Sequence, residues 1–140
     1  MTKPKSEPFA CSFRIYYEDT DAGGIVYHAN YLKFAERGRT ESLRAAGWDH
    51  HRVAQEFGLA FIVRHAEVDY RAPAKHDDWI EVRTAVDSVG NTSLTMKQGI
   101  WRGDKLLADI KIVLVAVNLE GKPVRFPPQL RQIFSLADSP

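Results

Sequence analysis

Hydrophobic positions along this chain recur first at helical spacing and then at every second residue, so a helical part precedes a sheet part. Ahead of the helical part, Phe9 to Tyr17 reads as a first strand that ends in an acidic, glycine-rich turn. Tyr31, Phe34, Ala35, Gly38, Ser42, Ala45 and Ala46 then follow one helical face. They predict a helix entered through an Asn30 N-cap, running to about Ala46 and stopped by Gly47 at C′. That face is made largely of small residues and should lie close against a sheet. Gly38 costs about 1 kcal/mol relative to alanine inside a helix, which close backbone approach can offset. Asp49 predicts the cap of a shorter helix ending at Gly58.

Beyond Gly58 the period is two. Ala60, Ile62, Ala66, Val68 and Tyr70 are expected to share one face of a strand, and Ile80, Val82, Thr84 and Val86 one face of the next. Leu94, Met96 and Ile100 continue the pattern, and Gly103-Asp104 is a hairpin signal joining that strand to Lys105 through Val117. Pro127-Pro128 opens a short terminal helix. One long helix against one antiparallel sheet is an α+β arrangement. A sheet covered on one side needs a partner for its remaining edge or face, so a homo-oligomer is expected.

Composition narrows this picture without redrawing it. The 140 residues suit a single domain spanning the chain, with residues 1–8 as a flexible polar tail and no signal peptide. Nineteen basic against eighteen acidic residues leave a formal charge of +1, which speaks against nucleic acid or an anionic membrane as partner. The lone Cys11 cannot form an intrachain disulfide, and the longest apolar stretch, Ile112 to Val117, is too short to span a bilayer. A cytoplasmic protein is expected.

The candidate chemistry lies between Tyr16 and Tyr31. Asp21 stands before Gly23 and Gly24, which permit a sharp exit from the strand, and Asn30 stands at the helix entry. A carboxylate is thus set beside backbone N–H groups that have no intrahelical partner. The adjacent His50-His51 pair has no matching ligand spacing, so no metal site is expected. Arg102-Gly103-Asp104 is explained by the hairpin.

The segment Tyr17-Glu18-Asp19-Thr20-Asp21-Ala22-Gly23-Gly24-Ile25-Val26-Tyr27-His28-Ala29-Asn30-Tyr31, followed by Phe34-Ala35-Glu36-Arg37-Gly38-Arg39-Thr40-Glu41, resembles a known family. Phe61-Ile62-Val63-Arg64, Tyr70-Arg71-Ala72-Pro73-Ala74, Asp77-Asp78 and Thr92-Ser93-Leu94 support the match. The family is the hotdog-fold acyl-CoA thioesterases of the 4-hydroxybenzoyl-CoA thioesterase superfamily, and within it the small bacterial enzymes associated with the Tol-Pal envelope system. The resemblance implies a hotdog fold, one long helix wrapped by about five antiparallel strands, and a homotetramer built from dimers with the acyl site at the dimer interface. It also implies an acyl-CoA substrate and no metal or redox cofactor. The family's catalytic aspartate falls on Asp21 and its characteristic histidine on His28, whose backbone N–H is where the helix-end donor meets the thioester carbonyl.

Fixed donors at that position stabilise the negative charge that develops on the carbonyl oxygen. Asp21 then either attacks the carbonyl or deprotonates water. Tyr27, Asn30 and Tyr31 are expected to line the substrate site, with Arg64, Arg71 and Lys75 as candidates for the coenzyme A phosphates. Acyl carrier protein is an alternative carrier. Two competing functions are a non-catalytic acyl-CoA binding module and a hotdog hydroxyacyl dehydratase; the intact Asp21 disfavours the first, and the lack of a His-Phe-Pro context the second.

Overall fold

The computed structural model describes residues 8–138, and the expected tail lies, but for Pro8, outside them. The elements run β1 (Phe9–Arg14), α1 (Asn30–Ala45), α2 (His50–Phe57), β2 (Ala60–Tyr70), β3 (Trp79–Val89), β4 (Ser93–Arg102), β5 (Lys105–Val117) and α3 (Pro128–Asp138). The strands form one five-stranded sheet in the order β1-β3-β4-β5-β2, antiparallel throughout. Arg102 pairs with Lys105 across the Gly103-Asp104 turn, where Gly103 takes φ +61°. The helix signals act as expected at α2: Asp49 Oδ1 accepts from the Arg52 N–H at 2.7 Å, and Gly58 ends the helix at φ +64°.

The core lies between α1 and the sheet. Phe34 and Ala35 are fully buried against Ile80, Val82 and Ile100 and their neighbours. Gly38 marks the closest approach: a Cβ there would fall 2.6 Å from Val82 Cγ1 and 2.8 Å from Thr84 Oγ1. Beneath it lies buried Gln98, whose amide donates to Ala35 O at 2.7 Å and Thr84 Oγ1 at 2.9 Å, while its oxygen accepts from Arg39 Nη1 at 3.0 Å. Each polar end of this buried amide is therefore satisfied.

Four local expectations need correction. The first strand stops at Arg14 rather than Tyr17, because Tyr16 caps a 3-10 turn over Tyr17–Asp19. The N-cap of α1 is Ala29, without a side-chain cap bond, and Asn30 is already helical; its amide is drawn off to another carbonyl. In the last turns of α1 the buried residue is Leu43, while Ala45 and Ala46 are exposed. Finally, the register of β2 on β5 shifts between Val63 and His65, leaving Arg64 as the extra residue of a bulge. A bulge reverses the side-chain alternation beyond it. Phe61 and Val63, not Ala60 and Ile62, therefore share the helix-facing side with Ala66, Val68 and Tyr70, opposite Leu114, Ile112 and Ile110 of β5.

Candidate active site

The predicted chemistry is organised by Asp19, an acid whose place beside Glu18 in the sequence suggests a solvated side chain. It is buried, and its Oδ2 accepts from the Tyr16 N–H at 2.9 Å. Its carbonyl accepts from the Tyr27 N–H at 3.0 Å and from Asn30 Nδ2 at 2.9 Å. The side chain of Asn30 thus draws the helix entry to the base of the acidic turn, and residues 20–26 form a loop closed at its neck. Thr20 bridges Val26, and the Asp21 N–H donates to Ile25 O at 2.8 Å.

Asp21 stands at the exposed end of that loop. Its Oδ1 accepts from the Gly23 N–H at 2.8 Å, and the Gly24 N–H donates back to its carbonyl at 3.0 Å, with Gly24 at φ +85°. A Cβ on Gly23 would lie 3.2 Å from that Oδ1, so the small residue keeps the carboxylate seated. Among the described residues, Asp21 Oδ2 has no hydrogen-bond partner.

At the helix entry, the N–H groups of Asn30, Tyr31 and Leu32 donate to the carbonyls of Tyr27, His28 and Ala29. Those of His28 and Ala29 have no acceptor among the described residues. The exposed His28 ring lies 4.6 Å from that of Tyr27 and 6.2 Å from that of Tyr70, by centroids. The Tyr70 hydroxyl donates to the His28 carbonyl at 2.9 Å, which fixes the peptide carrying the Ala29 N–H. Tyr31 is buried, its ring edge-on to Tyr70, and its hydroxyl accepts from the Ala74 N–H at 3.0 Å. Burial raises the pKa of Tyr31 and, separately, that of Tyr70.

The connection between β2 and β3 braces the loop from the other side. Val26 N–H donates to Ala74 O at 2.9 Å and Ile25 bridges Lys75. Asp78 Oδ2 accepts from the Lys75 N–H and from Arg102 Nη1, both at 2.8 Å. Neither Tyr70 nor Arg102 was singled out for the site from sequence, since the bonds that define their parts span 42 and 24 residues and leave no local pattern. A single chain therefore brings Asp21, Tyr27, His28, Asn30 and Tyr31 to one turn, with Lys75 against it and Arg71 just beyond the end of β2. The Arg71 guanidinium is itself paired with Asp69 at 3.0 Å. Arg64 is not with them: six residues before Tyr70, it lies roughly 20 Å along the strand.

An apolar cavity of about 270 Å³ lies elsewhere, between the C-terminal half of α1, the sheet and α3, and no predicted site residue lines it. Among the described residues, no three His, Cys, Asp or Glu side chains are grouped to hold a metal.

Residues 16–134 match the family model of the thioesterase-like superfamily. The chain is 40% identical over 127 residues to the acyl-CoA thioesterase YbgC of Haemophilus influenzae, covering 90% of this chain and 93% of that one. It is 42% identical over 128 residues to the acyl-CoA thioester hydrolase YbgC of Escherichia coli O157:H7, covering 87% and 92%. The chain belongs to the thioesterase-like superfamily. Among solved structures, the "probable thioesterase" of Bartonella henselae superposes with a TM-score of 0.83 at 36% identity, over 86% of this chain and 99% of that one. A 1,4-dihydroxy-2-naphthoyl-CoA thioesterase from Synechocystis shares the fold at a TM-score of 0.84 and 22% identity, over 94% and 98%. The long helix against five antiparallel strands is thus the hotdog fold, and the identity of 40% and 42% to the two acyl-CoA thioester hydrolases marks the chain as a thioester hydrolase.

Proposed function

We propose that the protein hydrolyses acyl-CoA thioesters, with the carbonyl oxygen held by the His28 N–H at the entry of α1 and Asp21 as nucleophile or general base. The observation that carries this reading is the helix entry itself. Asp19 and Asn30 use up the neighbouring polar groups and leave the N–H groups of His28 and Ala29 without an acceptor among the described residues, on the turn that follows the Asp21 loop. Such preorganised donors are worth roughly 3 to 4 kcal/mol each at an oxyanion, because they need no reorganisation as charge develops. The names of the Haemophilus influenzae and Escherichia coli relatives support acyl-CoA as the substrate.

Arg71 and Lys75, flanking the turn, are suited to the phosphates of coenzyme A. Tyr27 and Tyr31 form the wall beside the reacting carbonyl, and Asn30 acts by holding the turn. Arg64 can join this set only across a subunit boundary, in keeping with a dimer that pairs into a tetramer.

Asp21→Asn tests the reading. It keeps the shape of the side chain and an acceptor for the Gly23 N–H, but removes the charge needed for attack or proton abstraction. Acyl-CoA affinity measured by calorimetry should be retained, while thiol release falls by about a thousand-fold or more. Unchanged hydrolysis would remove Asp21 from the chemistry. Binding without hydrolysis in the unmodified protein, over short, long and aromatic acyl groups, would leave a binding module.

A further inference from the structure

The cavity behind α1 has no part in the proposed hydrolysis, yet charged side chains line it. Its apolar walls include Leu43, Phe61, Val63, Leu94, Met96 and Leu114, and α1 also contributes Arg39 and, at its exposed edge, Glu36. Nη1 of Arg39 donates to the neutral Gln98 Oε1 at 3.0 Å, and this is the single hydrogen bond its guanidinium makes among the described residues. No carboxylate oxygen lies within 4.0 Å of it among those residues. Burial pushes the Arg39 pKa below its ordinary value, and the Glu36 carboxylate one turn away partly offsets this; the group stays charged. Gln98, a neutral amide whose N–H groups are committed to Ala35 O and Thr84 Oγ1, gives it no compensating charge. A guanidinium fork with donors to spare, set in an apolar wall, is complementary to an anion that carries a hydrocarbon body. Thr40 adds a hydroxyl to the same wall, 3.4 Å from His50 Nε2.

We propose that this cavity is a second binding site that takes a medium-chain fatty acid, its carboxylate on the Arg39 guanidinium and its alkyl chain among Leu43, Met96 and Leu114. The volume of about 270 Å³ is nearly twice the roughly 150 Å³ of an apolar cavity that accepts benzene, which suits an alkyl chain of moderate length. Arg39 lies nine residues into α1, about 13 Å along the axis from the helix entry, so an acid bound there need not reach Asp21. The ligand is of the class released by thioester hydrolysis; that link to product rests on the proposed function, whereas the binding itself does not.

Calorimetric titration of the unmodified protein with decanoate and with decanol is the primary test. The acid should bind about tenfold or more tightly than the alcohol, the difference expected for a charge-assisted pair. Arg39→Gln should lose a similar factor and Arg39→Lys less. Val63→Trp, at a half-exposed wall position, should weaken decanoate by narrowing the space, and Asp21→Asn should leave its affinity unchanged. Equal affinity for acid and alcohol, or no binding of decanoate, overturns the proposal. So does tighter binding to Asp21→Asn combined with unaltered binding to Arg39→Gln, which would seat the acid at the hydrolytic turn. Should Arg39→Gln fail to fold, the acid and alcohol comparison and Val63→Trp still decide, because both retain Arg39.

Discussion

Tyr31 does two jobs with one hydroxyl: it fills the core at 3% exposure and accepts the buried Ala74 N–H at 3.0 Å. Tyr31→Phe leaves that donor unpaired and should cost about 1 to 3 kcal/mol in a denaturant titration at neutral pH. Burial raises the Tyr31 pKa, so the folded chain holds the phenolic proton more tightly than the unfolded chain does. The stability this contributes is fully present below the unfolded tyrosine value, about 10, and is lost as pH rises through the folded value. Thermal melting should therefore fall in the alkaline range, and less steeply in Tyr31→Phe. At His28 the expected contribution is the backbone donor. His28→Ala should keep turnover within about tenfold, whereas His28→Pro, which deletes the N–H, should cost about a hundred-fold or more in kcat. Complete loss in a folded His28→Ala protein would assign the work to the ring. The glycine turn and its aspartate are visible in sequence because φ preference and side-chain reach act within a few residues, as between Asp21 and Gly23. Asp19 is not: two acids in a row look solvated until the 3-10 turn buries one of them.

At the scale of elements, α1 illustrates how a local penalty is offset by packing. Gly38 sits where a Cβ would press on Val82 and Thr84 side chains of β3. Gly38→Ala gains about 1 kcal/mol of helix propensity. Against that, overpacking a filled core costs about 1 to 3 kcal/mol. We expect a net loss of stability in chemical denaturation, since β-branched Val82 and the hydrogen-bonded Thr84 have little freedom to move. A stabilised Gly38→Ala protein would show that the helix can lift off the sheet at no cost. The close approach was readable from the small-residue stripe, β3 and β4 from the alternation of Ile80 to Val86 and of Leu94, Met96 and Ile100, and β5 from the Gly103-Asp104 hairpin signal. What failed was β2, where both faces of an edge strand are largely exposed and alternation carries little information. A single extra residue at Arg64 then exchanged the faces, a change that only pairing with β5 reveals. The Asn30 cap failed for a related reason: a nearer local rule lost to a bond with Asp19 eleven residues away.

For the whole molecule, the outstanding question is what becomes of β2. The sheet ends on one side at six-residue β1 and on the other at eleven-residue β2, whose outer backbone has no strand beside it among the described residues. Ile62 and Val63 are 48% and 51% exposed on opposite faces of that edge. A long edge strand with apolar side chains invites pairing with another strand, and charge on such a strand opposes it. The turn proposed for hydrolysis lies near one end of β2 through the Tyr70 bond to His28, so a second copy seated along this edge would lie close to both the turn and the distant Arg64. Light scattering of the unmodified protein should give the mass of a dimer or, as the family resemblance implies, a tetramer. Ile62→Lys, which projects from the face turned away from the helices, should shift the distribution toward monomer with its circular dichroism spectrum retained. If residues across the boundary complete the substrate site, hydrolysis per chain should fall in proportion to dissociation as the variant is diluted. A strictly monomeric parent with full activity at nanomolar concentration would instead place the whole site within one chain and leave the exposed edge of β2 without a catalytic purpose.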